Sequence, residues 1–396
     1  MKAKIQKKEF TLCLSYIMLY ASLFIGDIYN IGGFDAAARV LRLVSYAMIA
    51  VSCINLRLKK SDFFHLAIVF ILTLFYGIKT GDLYWSILIL FIYNTRKIDS
   101  RTIYEISYKI IIIGIVIVLV CCALGVLPDV LTSRNTIEHI NFNRHSFGFY
   151  HSNVLPLLIF YLEVYYICIH KNKTKNSVIL CYMIVASILG LFCKSRNAVI
   201  SSIILSLFVI FEKRKNQSKH GILYRMAVIA IPCMSFFSFA MIFLLLKGGI
   251  WNTIDNVFSG RFRLAIFKMR RIGIHLVNIM SNNDFISDNI LYVNGKTLET
   301  IVLDNGYLYV MLRYGILVLI FYFIVAYLLA RKNKENGCVL VAIIAVFVIN
   351  FVDNDLVDYS FLPFILWAFN DWKDNQNIRN VKEKIIGIYK GKELKI

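Results

Sequence analysis

Long apolar stretches separated by short polar connections follow one another from Phe10 to Phe369. A transmembrane helix needs roughly 20 mainly apolar residues to cross about 30 Å of hydrocarbon, and many of these stretches approach that length. We therefore predict an all-α polytopic integral membrane protein with about twelve transmembrane helices. The predicted spans lie near Phe10–Ile25, Leu41–Leu56, Phe63–Ile78, Leu83–Asn94, Ile110–Leu127, Val154–Ile169, Val178–Cys193, Ala198–Phe211, Met226–Leu246, Gly306–Ala330, Cys338–Asn350 and Val357–Phe369.

Composition supports this class of protein. The 396 residues are 59% hydrophobic and only 17% charged, whereas soluble domains are about 25% charged. One large soluble core is thereby excluded, and residues 1–396 are predicted to form a single transmembrane domain. No small-residue cleavage site follows the first apolar run, so we expect that run to be retained as a span.

Lys and Arg concentrate in the connections on one side of the predicted bundle, and cytoplasmic connections characteristically retain these residues. The pattern predicts that both termini are cytoplasmic, with residues 370–396 as a basic cytoplasmic tail carrying an amphipathic surface helix. It also explains the net charge of +20 by topology and anionic lipid headgroups, without nucleic acid. The basic connections include Arg57, Lys59, Lys60, Lys171, Lys173, Lys175, Lys213, Arg214, Lys215, Arg331, Lys332 and Lys334.

The sequence contains no recognisable motif for binding a metal ion or a nucleotide. All nine cysteines lie in or at the ends of apolar stretches, without a Cys-x-x-Cys pair or zinc-type spacing. There is also no glycine pattern typical of nucleotide binding. We therefore expect neither a metal nor a cofactor.

Candidate chemistry lies in two long connections on the predicted outer side, at residues 128–151 and 247–305. The first ends in Arg144, His151 and Asn153, which could hydrogen-bond a sugar or a phosphate. Asn153 could equally be a helix N-cap at a polar membrane boundary. After the next pair of spans, Arg196 occupies a very short connection, where an arginine either serves function or extends to the headgroups.

The second long connection contains a predicted amphipathic helix that runs from the region of Arg261 to Met280. Its basic edge could anchor it to lipid, or its arginines could bind a diphosphate bidentately. Arg261 and Arg263 are two residues apart and would not share one helix face. Asp304, just before the tenth span, could be a simple cap or a catalytic carboxylate.

These residues together resemble the Wzy-type O-antigen and capsular polysaccharide polymerases, within the O-antigen polymerase and ligase superfamily. The likeness is carried by short motifs in one order and covers residues 144–315. The motifs are Gly148-Phe149-x-His151-x-Asn153, Ser195-Arg196, Ser259-Gly260-Arg261, Asp304-Asn305-x-Tyr307-Leu308 and Tyr314-Gly315.

The resemblance implies a GT-C-like glycosyltransferase in the cytoplasmic membrane of a bacterium, joining undecaprenyl diphosphate-linked oligosaccharides on the outer face without metal or nucleotide. It assigns the leaving diphosphate to Arg196, Arg261 and Arg263, with Arg144 as a fourth candidate. Asp304 is the first candidate proton acceptor and His151 the second, while Asn153 and Tyr307 would orient sugar hydroxyls. Membrane lipids, a chain-length regulator and a flippase are further candidate partners.

Two other functions compete with this interpretation. A ligase of the same superfamily would move finished glycan onto a different acceptor and shares the arginine-based chemistry. A flippase would carry the glycan or lipid across the membrane without chemistry. Transporters of that kind usually contain repeated halves, and no internal repeat is visible here.

Overall fold

A computed structural model describes residues 2–29, 33–54, 60–96, 98–134, 142–215, 220–258, 260–281, 285, 291–293, 296–298 and 303–370. These residues are largely helical, with two short antiparallel hairpins. The helices are α1 (Lys2–Ile25), α2 (Phe34–Ile54), α3 (Lys60–Thr80), α4 (Tyr84–Thr95), α5 (Ser100–Ala123), α6 (Val154–His170), α7 (Asn176–Cys193), α8 (Arg196–Arg214), α9 (Gly221–Leu245), α10 (Ile250–Val257), α11 (Arg261–Ile272), α12 (Gly306–Tyr314), α13 (Ile316–Lys332), α14 (Gly337–Ile349) and α15 (Leu362–Ala368). The hairpins pair β1 (Thr132–Arg134) with β2 (Phe142–Arg144), and β3 (Leu291–Val293) with β4 (Lys296–Leu298).

The long apolar helices confirm a multi-pass helical bundle. Six helical segments in the described part of the chain are long and apolar enough to cross a membrane: Phe34–Ile54, Lys60–Thr80, Ser100–Ala123, Val154–Lys173, Asn176–Cys193 and Gly221–Leu245. Shorter apolar helices lie at Phe10–Ile25, Tyr84–Thr95 and Gly337–Ile349. The predicted span near Val357–Phe369 contains only the seven-residue α15.

Helix α6 lies at the centre of the bundle. It is apolar around its whole circumference, as expected for a helix surrounded by protein, and 83% of its most apolar window is buried. Its one carboxyl group, Glu163, accepts hydrogen bonds from Ser202 at 2.5 Å and Ser206 at 2.6 Å in α8. By contrast, only 11% of the corresponding window of α3 is buried, so α3 belongs to the periphery.

The long helices run between two ends of the bundle, which we name by one residue each. At the Asp27 end, the segment after α1 contacts the segment before α6, where Tyr150 N donates to Asp27 O at 3.0 Å. At the Glu212 end, the last turn of α8 contacts the start of α7, where Lys213 Nζ donates to Asn176 Oδ1 at 2.5 Å.

The connection at 247–305 differs from the prediction. The amphipathic helix does not reach Met280, because α11 ends at Ile272 and Gly273 follows with a φ of 78°. The next residues instead pair with the tenth predicted span, where Ile316 N donates to His275 O at 3.0 Å and Asn278 N to Tyr314 O at 3.1 Å.

The tenth predicted span is interrupted at Gly315 rather than continuous. Gly315 has a φ of 100°, and a Cβ there would lie 2.6 Å from Leu276 O. Only glycine combines this backbone conformation with so close an approach of another chain segment. The predicted surface helix of the tail, at residues 378–388, lies outside the described residues.

Candidate functional site at the Asp27 end

The segment before α6 is held in a fixed turn by Asp129. Its Oδ1 atom accepts from the backbone nitrogens of Ser146 and Phe147, both at 2.8 Å, while Oδ2 lies 2.5 Å from His145 Nδ1. This turn includes Phe147 at a φ of 51° and Gly148 at 86°. It directs Phe149 into the core, where that residue is fully buried, and leaves the polar residues on either side at the end of the bundle.

Arg144 and Asn153 contact one another directly. Arg144 Nη2 donates to Asn153 Oδ1 at 2.7 Å, and Arg144 Nε donates to Cys193 O at 3.2 Å. Asn153 occupies the N-cap position of α6, but its side chain makes no cap hydrogen bond there. The amide instead fixes the guanidinium, which leaves a positive charge at the mouth of α6.

His151 lies beside this pair. Its Nδ1 atom accepts from Asn153 N at 3.1 Å. Burial lowers the pKa of His151, and the charges of Arg144 and Arg261 lower it further against the opposing effect of Asp304. His151 is therefore a neutral imidazole surrounded by the predicted arginines and the predicted acid.

Arg261 is the first residue of α11, and the helix begins there because of the preceding residues. Gly260 has a φ of 75°, and Asp255 Oδ1 accepts from Phe262 N at 3.0 Å. This places Arg261 on the inner side, with its side chain 11% exposed and its Nη2 atom 3.4 Å from Asp304 Oδ2. Arg263 lies on the outer side, 60% exposed, and pairs with Asp255 at 3.4 Å.

Asn197 connects Arg261 to a second acid. The orientation of its carboxamide that satisfies both groups turns the oxygen towards Arg261, which donates from its two terminal nitrogens at 3.1 and 3.2 Å. The Asn197 side chain also hydrogen-bonds the carboxylate of Asp353. Arg261 thus lies between Asp304 and Asn197, with Asp353 behind the amide.

Asn305 and Gly306 hold the Asp353 segment in place. Asn305 Oδ1 caps α12 by accepting from Leu308 N at 3.0 Å, while Nδ2 donates to Phe351 O at 2.8 Å. Gly306 N donates to both Asn350 O and Asp353 O. A Cβ on Gly306 would lie 2.9 Å from Asn350 Oδ1 and 3.1 Å from Asp353 O. The cap of α12 is therefore Asn305, which leaves the neighbouring Asp304 for Arg261.

Asp353 is half-buried in this arrangement. Burial raises the pKa of its carboxyl group to about 7, although the nearby charge of Arg261 acts in the opposite direction. A carboxylate with such a pKa accepts a proton at neutral pH more readily than one held in an ion pair. Further acids lie close by. The charges of Asp353 and Asp358 both raise the pKa of the buried Asp355. The Tyr359 hydroxyl donates to Asp27 Oδ2 at 2.5 Å.

Several predicted residues lie elsewhere. Tyr307 is 1% exposed and its hydroxyl donates to Phe347 O inside the bundle, so its expected sugar contact is replaced by a packing role. Arg196 is exposed at the start of α8, while its neighbour Asn197 enters the cluster. Arg263 lies on a different face of α11 from Arg261, as expected for two residues that are two positions apart in a helix.

Asp353, Asn197 and Asp27 were not among the site residues predicted from the sequence. A signal for the first existed, because Asp353 and Asp355 lie between two predicted spans and Asp358 lies at the start of the second of them. Acids at such positions are candidates for a functional role. Asn197 and Asp27 carry no comparable local signal. Only their contacts across the bundle identify them.

Comparison with protein-family models, curated proteins and solved structures finds no match for this chain. Within the described residues, no group of three or more His, Cys, Asp or Glu side chains is arranged to hold a metal ion. The cluster consists of two arginines, a neutral histidine, two amides and several carboxylates. Such a set can bind a phosphorylated group and accept a proton at adjacent positions.

Proposed function

We propose that this protein polymerises undecaprenyl diphosphate-linked oligosaccharide repeat units into a surface polysaccharide. In this proposal the bundle crosses the cytoplasmic membrane of a bacterium about twelve times, and the Asp27 end faces outwards. The observation that carries it is the meeting of four separate chain segments around Arg261. They are residues 144–153, Asn197 directly after the Ser195-Arg196 motif, Arg261 itself and Asp304.

The proposed reaction moves the growing glycan from its lipid diphosphate to a new unit. A hydroxyl oxygen of the acceptor sugar attacks the anomeric carbon of the donor. The bond from that carbon to the phosphate oxygen breaks, its electron pair leaves with the undecaprenyl diphosphate, and the hydroxyl proton passes to a carboxylate. Charge grows on the diphosphate during this step, so fixed cations stabilise the transition state more than the ground state.

Arg261 and Arg144 are the proposed diphosphate-binding residues. Arg261 is pre-oriented by Asn197, and Arg144 by Asn153 and the Cys193 carbonyl. Pre-oriented groups lose little entropy when substrate binds and need no reorganisation during the reaction. Arg196, exposed at the same end, would contact the diphosphate from the outer side.

Asp353 replaces Asp304 as the first proposed proton acceptor. Asp304 is held by Arg261 at 3.4 Å, and an acid paired with arginine is a weak base. Asp353 lies half-buried beside the same arginine, behind Asn197. Its pKa of about 7 suits proton transfer at neutral pH. Asp304 would neutralise Arg261 until a diphosphate displaces it.

The experiment is deletion of the gene in cells that make the polysaccharide, followed by analysis of lipid-linked intermediates. We expect single lipid-linked repeat units on the outer leaflet and no long glycan, with restoration by the wild-type gene. Units trapped on the cytoplasmic leaflet would identify a flippase instead. Long lipid-linked polymer that never reaches its final acceptor would identify a ligase.

A further inference from the structure

A cavity of about 490 Å³ lies at the Glu212 end, at the opposite end of the bundle from the arginine cluster. It opens between the last turns of α8 and the first turns of α9, with Val341 of α14 at its inner wall. The proposed reaction uses none of its residues. Its position corresponds to the cytoplasmic membrane boundary if the basic connections lie inside.

The polar wall of the cavity is built on a buried pair. Glu212 Oε1 lies 2.6 Å from His220 Nδ1, and both side chains are less than a tenth exposed. Gly337 at the start of α14 lets this pair approach, since a Cβ there would lie 2.4 Å from Glu212 Oε1 and 2.7 Å from His220 Nδ1. The pair therefore connects α8, α9 and α14 and gives the cavity a fixed base.

Two cations lie at the cavity above this pair. Lys215 is held near the wall, 3.6 Å from Glu212 Oε2 and 4.6 Å from the centre of the Phe211 ring. Arg225, one turn into α9, is exposed and also lines the cavity. Against these two positive charges the wall contributes one carboxylate, which already contacts His220 and Lys215.

The remaining wall is apolar and open. Phe208 is 55% exposed, Phe211 58%, Ile222 77% and Met226 47%, and all four line the cavity. An apolar trough that ends in two cations matches an amphiphile with an anionic head. Basic pockets between helices on the cytoplasmic side of a membrane bind the headgroups of anionic lipids in this way.

We propose that this cavity is a binding site for one anionic phospholipid of the cytoplasmic leaflet. Its phosphate contacts Lys215 and Arg225, and the planar guanidinium of Arg225 binds the phosphate oxygens bidentately. One acyl chain lies against Phe208, Phe211 and Met226. The Glu212–His220 pair acts as the fixed base that keeps α8 and α9 apart at this level.

The test uses the full-length protein in nanodiscs that contain equal amounts of phosphatidylglycerol and phosphatidylcholine, with lipid retained after detergent extraction measured by native mass spectrometry. We expect wild-type protein to retain phosphatidylglycerol selectively. A variant with both Lys215→Ala and Arg225→Ala should retain at least fivefold less. A matched variant with Lys173→Ala and Lys334→Ala removes the same charge from exposed positions of the same end and should retain the wild-type amount.

A second variant tests the apolar part of the site. Met226→Trp fills the trough while leaving both cations in place, and it should reduce retention as strongly as the double alanine variant. Equal losses in both double-alanine variants would mean diffuse attraction of anionic lipid and would overturn the proposal. Retention by wild-type protein without preference for phosphatidylglycerol, or unchanged retention in Met226→Trp, would overturn it too.

Discussion

Each end of the bundle contains a helix that begins with an Asn-Gly pair, and the two pairs have different surroundings. At the Asp27 end, Asn305 caps α12 and Gly306 lets the Asp353 segment approach by its backbone. At the Glu212 end, Asn336 caps α14 by accepting from Val339 N at 3.1 Å, and Gly337 lets the Glu212–His220 pair approach. An Asn-Gly helix start thus allows another chain segment to approach the helix closely, and the role of the contact depends on which groups that segment carries.

The acids at the two ends differ in their exposure and in how closely a partner side chain contacts them. At the Glu212 end, the acid is 5% exposed and lies 2.6 Å from His220, which suits a fixed structural contact. At the Asp27 end, Asp304 is 34% exposed and its contact with Arg261 is 3.4 Å, while Asp353 is half-buried with a raised pKa. A longer, more exposed ion pair is easier to exchange for a substrate. The acid at the Glu212 end is therefore fixed, whereas the ion pair at the Asp27 end is open to exchange, as the proposed reaction requires.

Labelling of single cysteines tests which end faces outwards, with an all-or-none result. In a variant without the native cysteines, Asn252→Cys and Arg270→Cys at the Asp27 end should react with an impermeant maleimide added to intact cells. Asn172→Cys and Lys334→Cys should react only after lysis. All four positions are exposed. Labelling with the two pairs exchanged would reverse the comparison and remove the proposed outer site.

Asp353→Asn should cause the largest loss of the proposed activity, about 10²–10⁴-fold, because it removes the proposed general base. The pKa of Asp353 is raised to about 7, and only the deprotonated form accepts a proton. We therefore expect the wild-type rate to rise as pH increases through about 7 and then to level off. Polymerisation in membranes, normalised to protein amount, measures this. Glu335→Gln, at an exposed position of the other end, is the control and should keep the wild-type profile.

The same substitution has an opposite consequence for stability. A carboxyl whose pKa is raised on folding binds its proton more tightly in the folded protein than in the unfolded chain. Its contribution to stability is therefore present at low pH and declines as pH rises from about 4 to about 7. Asp353→Asn should flatten that decline in thermal unfolding scans. A variant with the wild-type pH dependence of both rate and stability would exclude Asp353 as the titrating group.

Arg261→Lys should lower polymerisation by about 10²–10³-fold, by analogy with removal of one oxyanion-stabilising donor. A lysine ammonium keeps the charge but cannot contact Asn197 and a phosphate through one planar fork. Glycan ladder length from membranes reports the effect. Arg270→Lys, in the same helix but exposed, is the matched control and should give normal ladders. Normal ladders from Arg261→Lys would return this residue to lipid anchoring.

Gly306→Ala should lower activity by about tenfold or more, since small displacements of catalytic groups cost large factors in rate. The added Cβ would lie only 2.9 Å from Asn350 Oδ1 and 3.1 Å from Asp353 O, so both groups would have to move. Activity and thermal stability should be measured on the same preparation. A normal rate at reduced stability would show that the position of the Asp353 segment is unimportant for the reaction.

Gly337→Ala should have the smallest effect on activity, within about twofold, and should lower the stability of the protein by about 1–3 kcal/mol through overpacking. The Cβ would meet Glu212 and His220 at 2.4 and 2.7 Å, far from the arginine cluster. Thermal unfolding and polymerisation measured together separate the two effects. A loss of activity as large as that of Gly306→Ala would abolish the difference between the two ends.

The ends of many helices could be predicted from local sequence alone. The first predicted span ends at Ile25, where α1 ends. The sixth begins at Val154, where α6 begins, and the seventh ends at Cys193, where α7 ends. Arg144, His151, Asn153, Arg261 and Asp304 were likewise identified from short motifs, and the structure brings them together. Hydropathy and residue type at a membrane boundary are properties of neighbouring residues, so the sequence displays them directly.

Tertiary structure decided the partners of these residues. The break at Gly315 and the inward direction of Tyr307 each depend on a chain segment distant in sequence. The contacts of Asn197 and Gly306 with residues 350–353 depend on α8 and α12 beginning, and α14 ending, at the same level of the bundle. Sequence by itself determined that this chain is a multi-pass helical bundle and which polar residues lie at its boundaries. Which of them meet was decided by packing, because a carboxylate becomes a base or an ion-pair partner only through the groups that surround it.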